Sequence, residues 1–141
     1  GRRQQPGARP MILPEITPLT LPFWEGAREG RLRLQSCRGC AHVWHPPSPG
    51  CPRCGRAEPF WIDAAGEGHV HSFVVIHTAA HPAAQGRLPL VVALVRLAEG
   101  PLFVCNLLEC EPADVRVEMP VRLVFERLTP EITLPQFAPR A

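Results

Sequence analysis

The sequence predicts a mainly β protein: a short N-terminal helix, a four-cysteine zinc ribbon and a five-stranded OB-fold barrel. Three observations lead to this prediction. Four of the six cysteines form two Cys-x-x-Cys pairs, the spacing typical of a four-thiolate zinc site. A short stretch before them has the start and stop residues of a helix. After them, short apolar runs alternate with turn residues, the pattern of a small all-β barrel.

The chain has 141 residues, which suits one metal-stapled module and one module with its own hydrophobic core. We predict that residues 1–19 are a flexible tail, an interdomain linker or an expression tag. They are rich in Arg, Pro and Gln without periodicity, and Met11 is a candidate native start. Residues 20–58 then form the helix and the ribbon, and residues 59–138 form the barrel.

The helix prediction covers residues 20–30. Pro22 lies in the first turn and Gly30 lies just past the end, which is the usual order of proline and glycine around a helix. Phe23 and Trp24 belong to its apolar face.

The ribbon prediction rests on Cys37, Cys40, Cys51 and Cys54. Residues 31–35 alternate between polar and apolar side chains, so a strand leads into the first pair. Two residues between cysteines allow a turn that directs both sulfurs to one ion, at about 2.3 Å. Because four thiolates complete the coordination of Zn²⁺, the metal has a structural role in this prediction and not a catalytic one.

Two alternatives remain open for this region. Two disulfides would suit a small secreted domain, but no signal peptide precedes the cysteines and the chain is not cysteine-dense. His42 and His45 lie near the first pair and are alternative ligands, although four cysteines already suffice. Metal-bound thiols, with no apolar run of about 20 residues, favour a cytoplasmic protein without a membrane span.

The barrel prediction rests on strand-like runs separated by turn signals. The runs are residues 59–64, 69–78, 88–98, 102–108 and 121–128. We predict that the even-numbered residues from 70 to 76 share one face of the second run. Residues 90–95 of the third run are apolar throughout, so we expect this strand to be central in the sheet. Residues 79–87 form a long loop between the second and third runs.

Beyond these patterns, the chain resembles the family called domain of unknown function 35 over about residues 18–138. The resemblance lies in the four cysteines and in the order and spacing of five other segments. These are Pro22-Phe23-Trp24-Glu25-Gly26, Leu32-Arg33-Leu34-Gln35-Ser36-Cys37, Gly66-Glu67-Gly68-His69-Val70-His71-Ser72-Phe73, Pro89-Leu90-Val91-Val92-Ala93-Leu94-Val95 and Met119-Pro120-Val121-Arg122-Leu123-Val124-Phe125-Glu126.

The resemblance implies a non-catalytic accessory or scaffold subunit that binds and activates a thiolase-superfamily enzyme. One such partner is a lipid-transfer-protein-like aldolase, the retro-aldolase of steroid side-chain degradation. Some relatives are fused to a hydratase-like hot-dog domain, which is a second implied partner. The substrate at the shared interface would be an acyl-CoA thioester.

Five residues are candidate contacts to a partner or to the phosphates of coenzyme A. They are the aromatic residues Phe23 and Trp24 and the basic residues His77, His81 and Arg87. Each also has a simpler explanation, because aromatic residues of a short helix usually cover their own core and surface arginines are usually only solvated.

Two other functions remain as alternatives. OB barrels and zinc ribbons recur in single-stranded nucleic-acid-binding proteins, but the formal net charge of +2 falls to about 0 when four thiolates bind Zn²⁺, and lysine is absent. The chain could instead be an enzyme with Cys105 or Cys110 as nucleophile and His77 as base. Against this, Cys105 lies on a core-facing register, and buried thiols are usually inert.

Overall fold

The computed structural model describes residues 13–78 and 88–140. Its helix is α1 (Leu21–Arg28), and a 3₁₀ turn covers Pro112–Asp114. The strands are β1 (Arg33–Ser36), β2 (Val43–Trp44), β3 (Phe60–Asp63), β4 (Glu67–Ile76), β5 (Leu90–Leu97), β6 (Leu102–Asn106), β7 (Pro120–Arg127) and β8 (Thr133–Pro139). They form a three-stranded sheet, in the order β2-β1-β3, and a five-stranded sheet, in the order β6-β5-β4-β7-β8. Within the described residues, no helix is long and apolar enough to cross a membrane.

The small sheet contains a strand that we expected in the barrel. Residues 59–64 were predicted as the first barrel strand, but β3 pairs antiparallel with β1, with Leu34 opposite Ile62. The alternation of side chains shows that a segment is a strand, but it does not determine which other strand that segment pairs with. The second cysteine pair turns the chain back beside β1, whose free edge then accepts β3.

The five-stranded barrel predicted from the sequence is confirmed; its strands are antiparallel, and its fifth strand differs from the predicted one. That strand is β8, which pairs with β7 over seven positions. The barrel almost closes where β8 meets β6: Leu107 and Phe137 form a parallel bridge, and the N–H of Leu108 donates to the carbonyl of Phe137 at 2.8 Å.

A β-bulge changes which residues of β4 face the core. The register of β4 against β5 shifts between Val70 and Ser72, so the prediction that the even-numbered residues share a face is wrong. Val70 is fully buried, whereas Val74 is 59% exposed. Beyond the bulge Phe73 and Val75 pack against the core instead. One extra residue in a strand reverses the facing of every residue after it.

The ribbon and the barrel share one hydrophobic core. Phe23 from α1 and Leu34 from β1 belong to the same buried cluster as Val95, Val121 and Phe137 of the barrel. Each buried side chain of this size contributes about 1.5–3 kcal/mol relative to exposure. The two modules therefore stabilise each other, and their junction has a defined geometry.

Gly68 of β4 lies in a closely packed part of the barrel. A Cβ at this position would lie 2.5 Å from the backbone oxygen of Arg96 and 2.7 Å from a methyl carbon of Val95. Only glycine allows this close approach of two strands.

Candidate metal centre and apolar groove

The four cysteine sulfurs meet at the tip of the small sheet. All four lie within 4.8 Å of one another, with 3.5 Å between the sulfurs of Cys37 and Cys54 and 3.7 Å between those of Cys40 and Cys51. A tetrahedron of sulfurs around Zn²⁺ at about 2.3 Å has edges of about 3.8 Å. The four side chains therefore fit a zinc ion, as the sequence predicted for a zinc ribbon.

The backbone of each cysteine pair donates hydrogen bonds to the first sulfur of the pair. The N–H groups of Gly39 and Cys40 lie 3.2 and 3.4 Å from the Cys37 sulfur. The second pair repeats this arrangement around Cys51. The N–H of Cys40 contributes most to lowering the pKa of the Cys37 thiol to about 6. Cys37 is thus a thiolate at neutral pH, the form that zinc binds.

The two turns end with the same kind of backbone angle but with different residues. Each turn finishes with a residue of positive φ, Ala41 at 65° and Gly55 at 83°. Gly39, inside the first turn, has an ordinary φ. The reason for glycine there is space, because a Cβ on Gly39 would lie 3.1 Å from Cδ of Arg56.

Neither histidine near the first pair joins the sulfur cluster. Among the described residues, the cluster consists of the four cysteines. His42 stacks on Trp44. The His45 ring lies between Phe23 and Phe103, with centroid distances of 5.3 and 5.0 Å. Burial lowers the pKa of His45 to about 4, so this ring is a neutral link between α1, the ribbon and the barrel.

An apolar groove of about 580 Å³ lies beside His45, where α1 and the ribbon meet the barrel strands β6 and β8. The lining residues are uncharged at neutral pH, and they include Trp24, His45, Pro47, Phe103, Val104 and Pro135. Val104 is 64% exposed although it lies in a strand. A concave apolar surface of this kind is a candidate site for binding another molecule.

The structure brings two of the five predicted contact residues to this groove. Phe23 and Trp24 are adjacent, with centroids 4.9 Å apart in an edge-to-face arrangement. Phe23 is 6% exposed and belongs mainly to the core, whereas Trp24 is half-buried. His77 is exposed just after β4 and is not part of the groove lining. The other two, His81 and Arg87, lie outside the described residues.

Three residues that shape the groove were not predicted from the sequence to do so. His45 was considered there only as an alternative zinc ligand. Gln136 lies on β8, a strand that the sequence did not reveal. Val104 carried a signal that was not used: Leu102 and Val104 occupy the outward register of β6, where a strand facing water would have polar side chains.

Neither of the two cysteines outside the cluster has the properties of a nucleophile. Burial raises the pKa of Cys105 to about 12. The pKa of Cys110 is also raised, first by burial and then by the charges of Asp114 and Glu111. Both thiols are protonated at neutral pH, which argues against thiol catalysis.

A rubredoxin-like zinc ribbon followed by an OB barrel defines the class of this protein. The family model for the ChsH2 rubredoxin-like zinc ribbon domain matches residues 24–59. The model for the ChsH2 C-terminal OB-fold domain matches residues 61–126. The chain belongs to the ChsH2 zinc-ribbon and OB-fold family, the DUF35 scaffold proteins.

Three relatives illustrate the range of this family. A probable enoyl-CoA hydratase alpha subunit of Thermomonospora curvata is 44% identical over 118 residues, which are 83% of this chain and 36% of the relative. A 3-oxo-4,17-pregnadiene-20-carboxyl-CoA hydratase alpha subunit of Mycobacterium tuberculosis is 34% identical, over 82% of this chain and 36% of the relative. A DUF35 domain-containing scaffold protein of Methanocaldococcus jannaschii is 33% identical over 65% of each chain. The chain thus spans about a third of the length of the two hydratase subunits.

One chain of a solved structure named Ltp2-ChsH2(DUF35) aldolase is similar to this protein over nearly its whole length. It is 41% identical, with a TM-score of 0.82, and the match covers 90% of this chain and 98% of that one.

Proposed function

We propose that this chain is a non-catalytic accessory subunit that binds and activates a thiolase-like, lipid-transfer-protein-like aldolase. In this proposal it helps to form the enzyme's acyl-CoA access region. The observation that carries the proposal is the uncharged groove beside Trp24 and the exposed Val104. Surface of this composition is typical of the core of a protein interface.

The chemistry of the described residues supports a non-catalytic role. Four thiolates leave no open position on a metal ion for water or substrate. Among the described residues, this cluster is the one group of side chains suited to hold a metal. We propose that it holds one structural Zn²⁺.

The names of the relatives support the identity of the partner. The similar solved structure is named an aldolase of Ltp2 and ChsH2(DUF35), and the Mycobacterium tuberculosis relative is named a hydratase of a steroid-derived acyl-CoA. We extend these names to this chain as a proposal: the partner acts on an acyl-CoA, in steroid side-chain degradation. A hydratase-like hot-dog domain is a second proposed partner.

Single-stranded nucleic-acid binding has less support, because several arginines of the described surface are already paired. Arg31 contacts Glu29 and Asp63. On the barrel, Arg122 lies 2.8 Å from Glu109 and Arg140 lies 3.3 Å from Glu67. Cations paired in this way contribute little to the attraction of a phosphate backbone.

The test is co-purification of this chain with a thiolase-like aldolase from the same organism, followed by size exclusion and acyl-CoA turnover. We expect a stable complex whose activity exceeds that of either component. Val104→Asp should weaken the complex at least tenfold, because it places a charge on the groove wall. Val117→Asp is the matched control, since Val117 is 55% exposed and does not line the groove.

Two results would contradict the proposal. One is a partner enzyme whose turnover is the same with and without this chain. The other is an equal effect of the two valine substitutions, which would remove the groove from the interface. Oligonucleotide affinity that falls steeply with salt would favour the nucleic-acid alternative.

A further inference from the structure

We propose that the free edge of β6 pairs with an extended, uncharged segment of the partner enzyme, which lies in the groove as an added strand. This inference rests on the proposed function and specifies how the partner docks. It concerns the backbone of β6 as well as its side chains.

The register of β6 shows which backbone groups face the groove. Phe103 and Cys105 lie opposite Val95 and Ala93 of β5, and the N–H of Leu107 donates to the carbonyl of Val91 at 3.0 Å. In an antiparallel pair, alternate residues direct both backbone groups to the same neighbour. The N–H and C=O groups of the odd-numbered residues of β6 therefore bond to β5. Those of the even-numbered residues point to the opposite edge of β6.

The N–H of Asn106 supports this assignment, because it donates to the side-chain oxygen of Gln136 at 2.7 Å across the gap to β8. The remaining even-numbered residues are Leu102 and Val104, which line the groove. Within residues 13–78 and 88–140, no backbone group bonds to their outward N–H and C=O groups, which therefore form an open strand edge. Such an edge is a template for another strand.

The strand across the gap does not fill this edge. β8 meets β6 at the bridge between Leu107 and Phe137. Since the carbonyl of Phe137 faces β6, the backbone of Pro135 faces the same side, and proline has no N–H to donate. Next to Leu102 and Val104, the groove separates β6 from β8.

The lining of the groove indicates the composition of the added segment. Proteins usually protect a free strand edge with charges, proline or a bulge, but the even-numbered positions of β6 are Leu, Val and Asn. An uncharged lining with Trp24 on one wall favours an apolar segment without charges. Residues 1–12 of this chain contain three arginines, so they suit this lining poorly. A segment of the partner fits it better.

Hydrogen exchange resolved to single amides tests the pairing. In the free chain the amides of Leu102 and Val104 should exchange faster than those of Phe103 and Cys105, which bond to β5. On binding the aldolase, the first two should slow at least tenfold and the other two should change much less. If they are already protected in the free chain, its own residues or a second copy occupies the edge, and the inference is overturned.

A matched pair of substitutions gives an independent test. Val104→Pro removes the outward N–H without removing a bond to β5, a position where edge strands tolerate proline. Val104→Ala removes most of the side chain and keeps the N–H. We expect Val104→Pro to weaken the complex at least tenfold more than Val104→Ala, with both variants folded by thermal unfolding.

The outcomes separate this inference from the proposed function. A complex that forms equally well with both variants, or without amide protection, overturns strand addition and leaves the accessory role standing. No complex with the unmodified chain refutes both. If Val104→Pro fails to fold, the exchange measurement on the unmodified chain still decides.

Discussion

The half-buried imidazole of His45 makes the stability of this protein depend on pH. Burial between Phe23 and Phe103 lowers its pKa from the ordinary 6.5 to about 4. In the unfolded chain the ring accepts a proton near pH 6.5, whereas in the folded protein it does so only near pH 4. Above pH 6.5 the site therefore does not lower the free energy of unfolding. As the pH falls from 6.5 towards 4, the unfolded chain binds a proton that the folded protein does not, and the free energy of unfolding decreases.

The size of the effect follows from the two pKa values. At about 1.36 kcal/mol per pKa unit, the full loss is about 3 kcal/mol. Between pH 7.5 and pH 4.5 the expected loss is about 2.5 kcal/mol. That is a large fraction of the stability of a small domain.

His45→Phe isolates this contribution, because phenylalanine keeps an aromatic ring in the gap and does not titrate. Urea unfolding followed by tryptophan fluorescence gives the free energy of unfolding of both proteins at each pH. Zinc binding also weakens in acid, but this acts on both proteins alike. The difference between them should grow by about 2.5 kcal/mol from pH 7.5 to 4.5. Parallel pH profiles would refute the reasoning.

Three further predictions concern the metal centre, the barrel and the thiols. Cys37→Ser should abolish zinc binding by metal analysis and lower the melting temperature, whereas Cys110→Ser, outside the cluster, should retain the metal. Gly68→Ala should destabilise by about 1–3 kcal/mol in urea unfolding, because its Cβ meets backbone at 2.5 Å. Gly26→Ala should cost less, since the two nearest atoms belong to the side chain of Arg33 and the nearest backbone atom, the oxygen of Arg31, lies 3.2 Å away; equal losses would contradict this. Cys105 should resist iodoacetamide at pH 7.5 in the folded protein, as mass spectrometry of labelled peptides would show, and rapid labelling would contradict its raised pKa.

The zinc ribbon could be predicted because its determinants are local. Two residues between the cysteines of each pair determine which way the sulfurs point, so Cys37 and Cys40 indicate a metal site before any long-range contact is known. Which residue of the first cysteine turn has a positive φ was less predictable. Ala41, not Gly39, takes the positive φ, because the backbone at that point follows the hydrogen bond from the N–H of Ala41 to the carbonyl of Cys37.

The last barrel strand escaped prediction because its sequence contains two prolines. Pro135 and Pro139 occupy β8, and proline argues against a central strand. Both lie on the odd-numbered register that faces away from β7, where no ladder bond is lost. Whether a proline in a strand is tolerated depends on which edge its nitrogen faces, and only the paired strands show that.

The sequence by itself determined the chemistry of the metal centre, the all-β class and the order of helix, ribbon and barrel. These depend on ligand spacing and side-chain alternation, which act within a few residues. Only the tertiary structure decided which strand β3 joins, where the β4 bulge reverses the facing of its side chains, and that His45 lies between Phe23 and Phe103. The groove depends on all of these long-range contacts, because its walls come from α1, the ribbon, β6 and β8. Residues far apart in the chain meet there only after the core has packed.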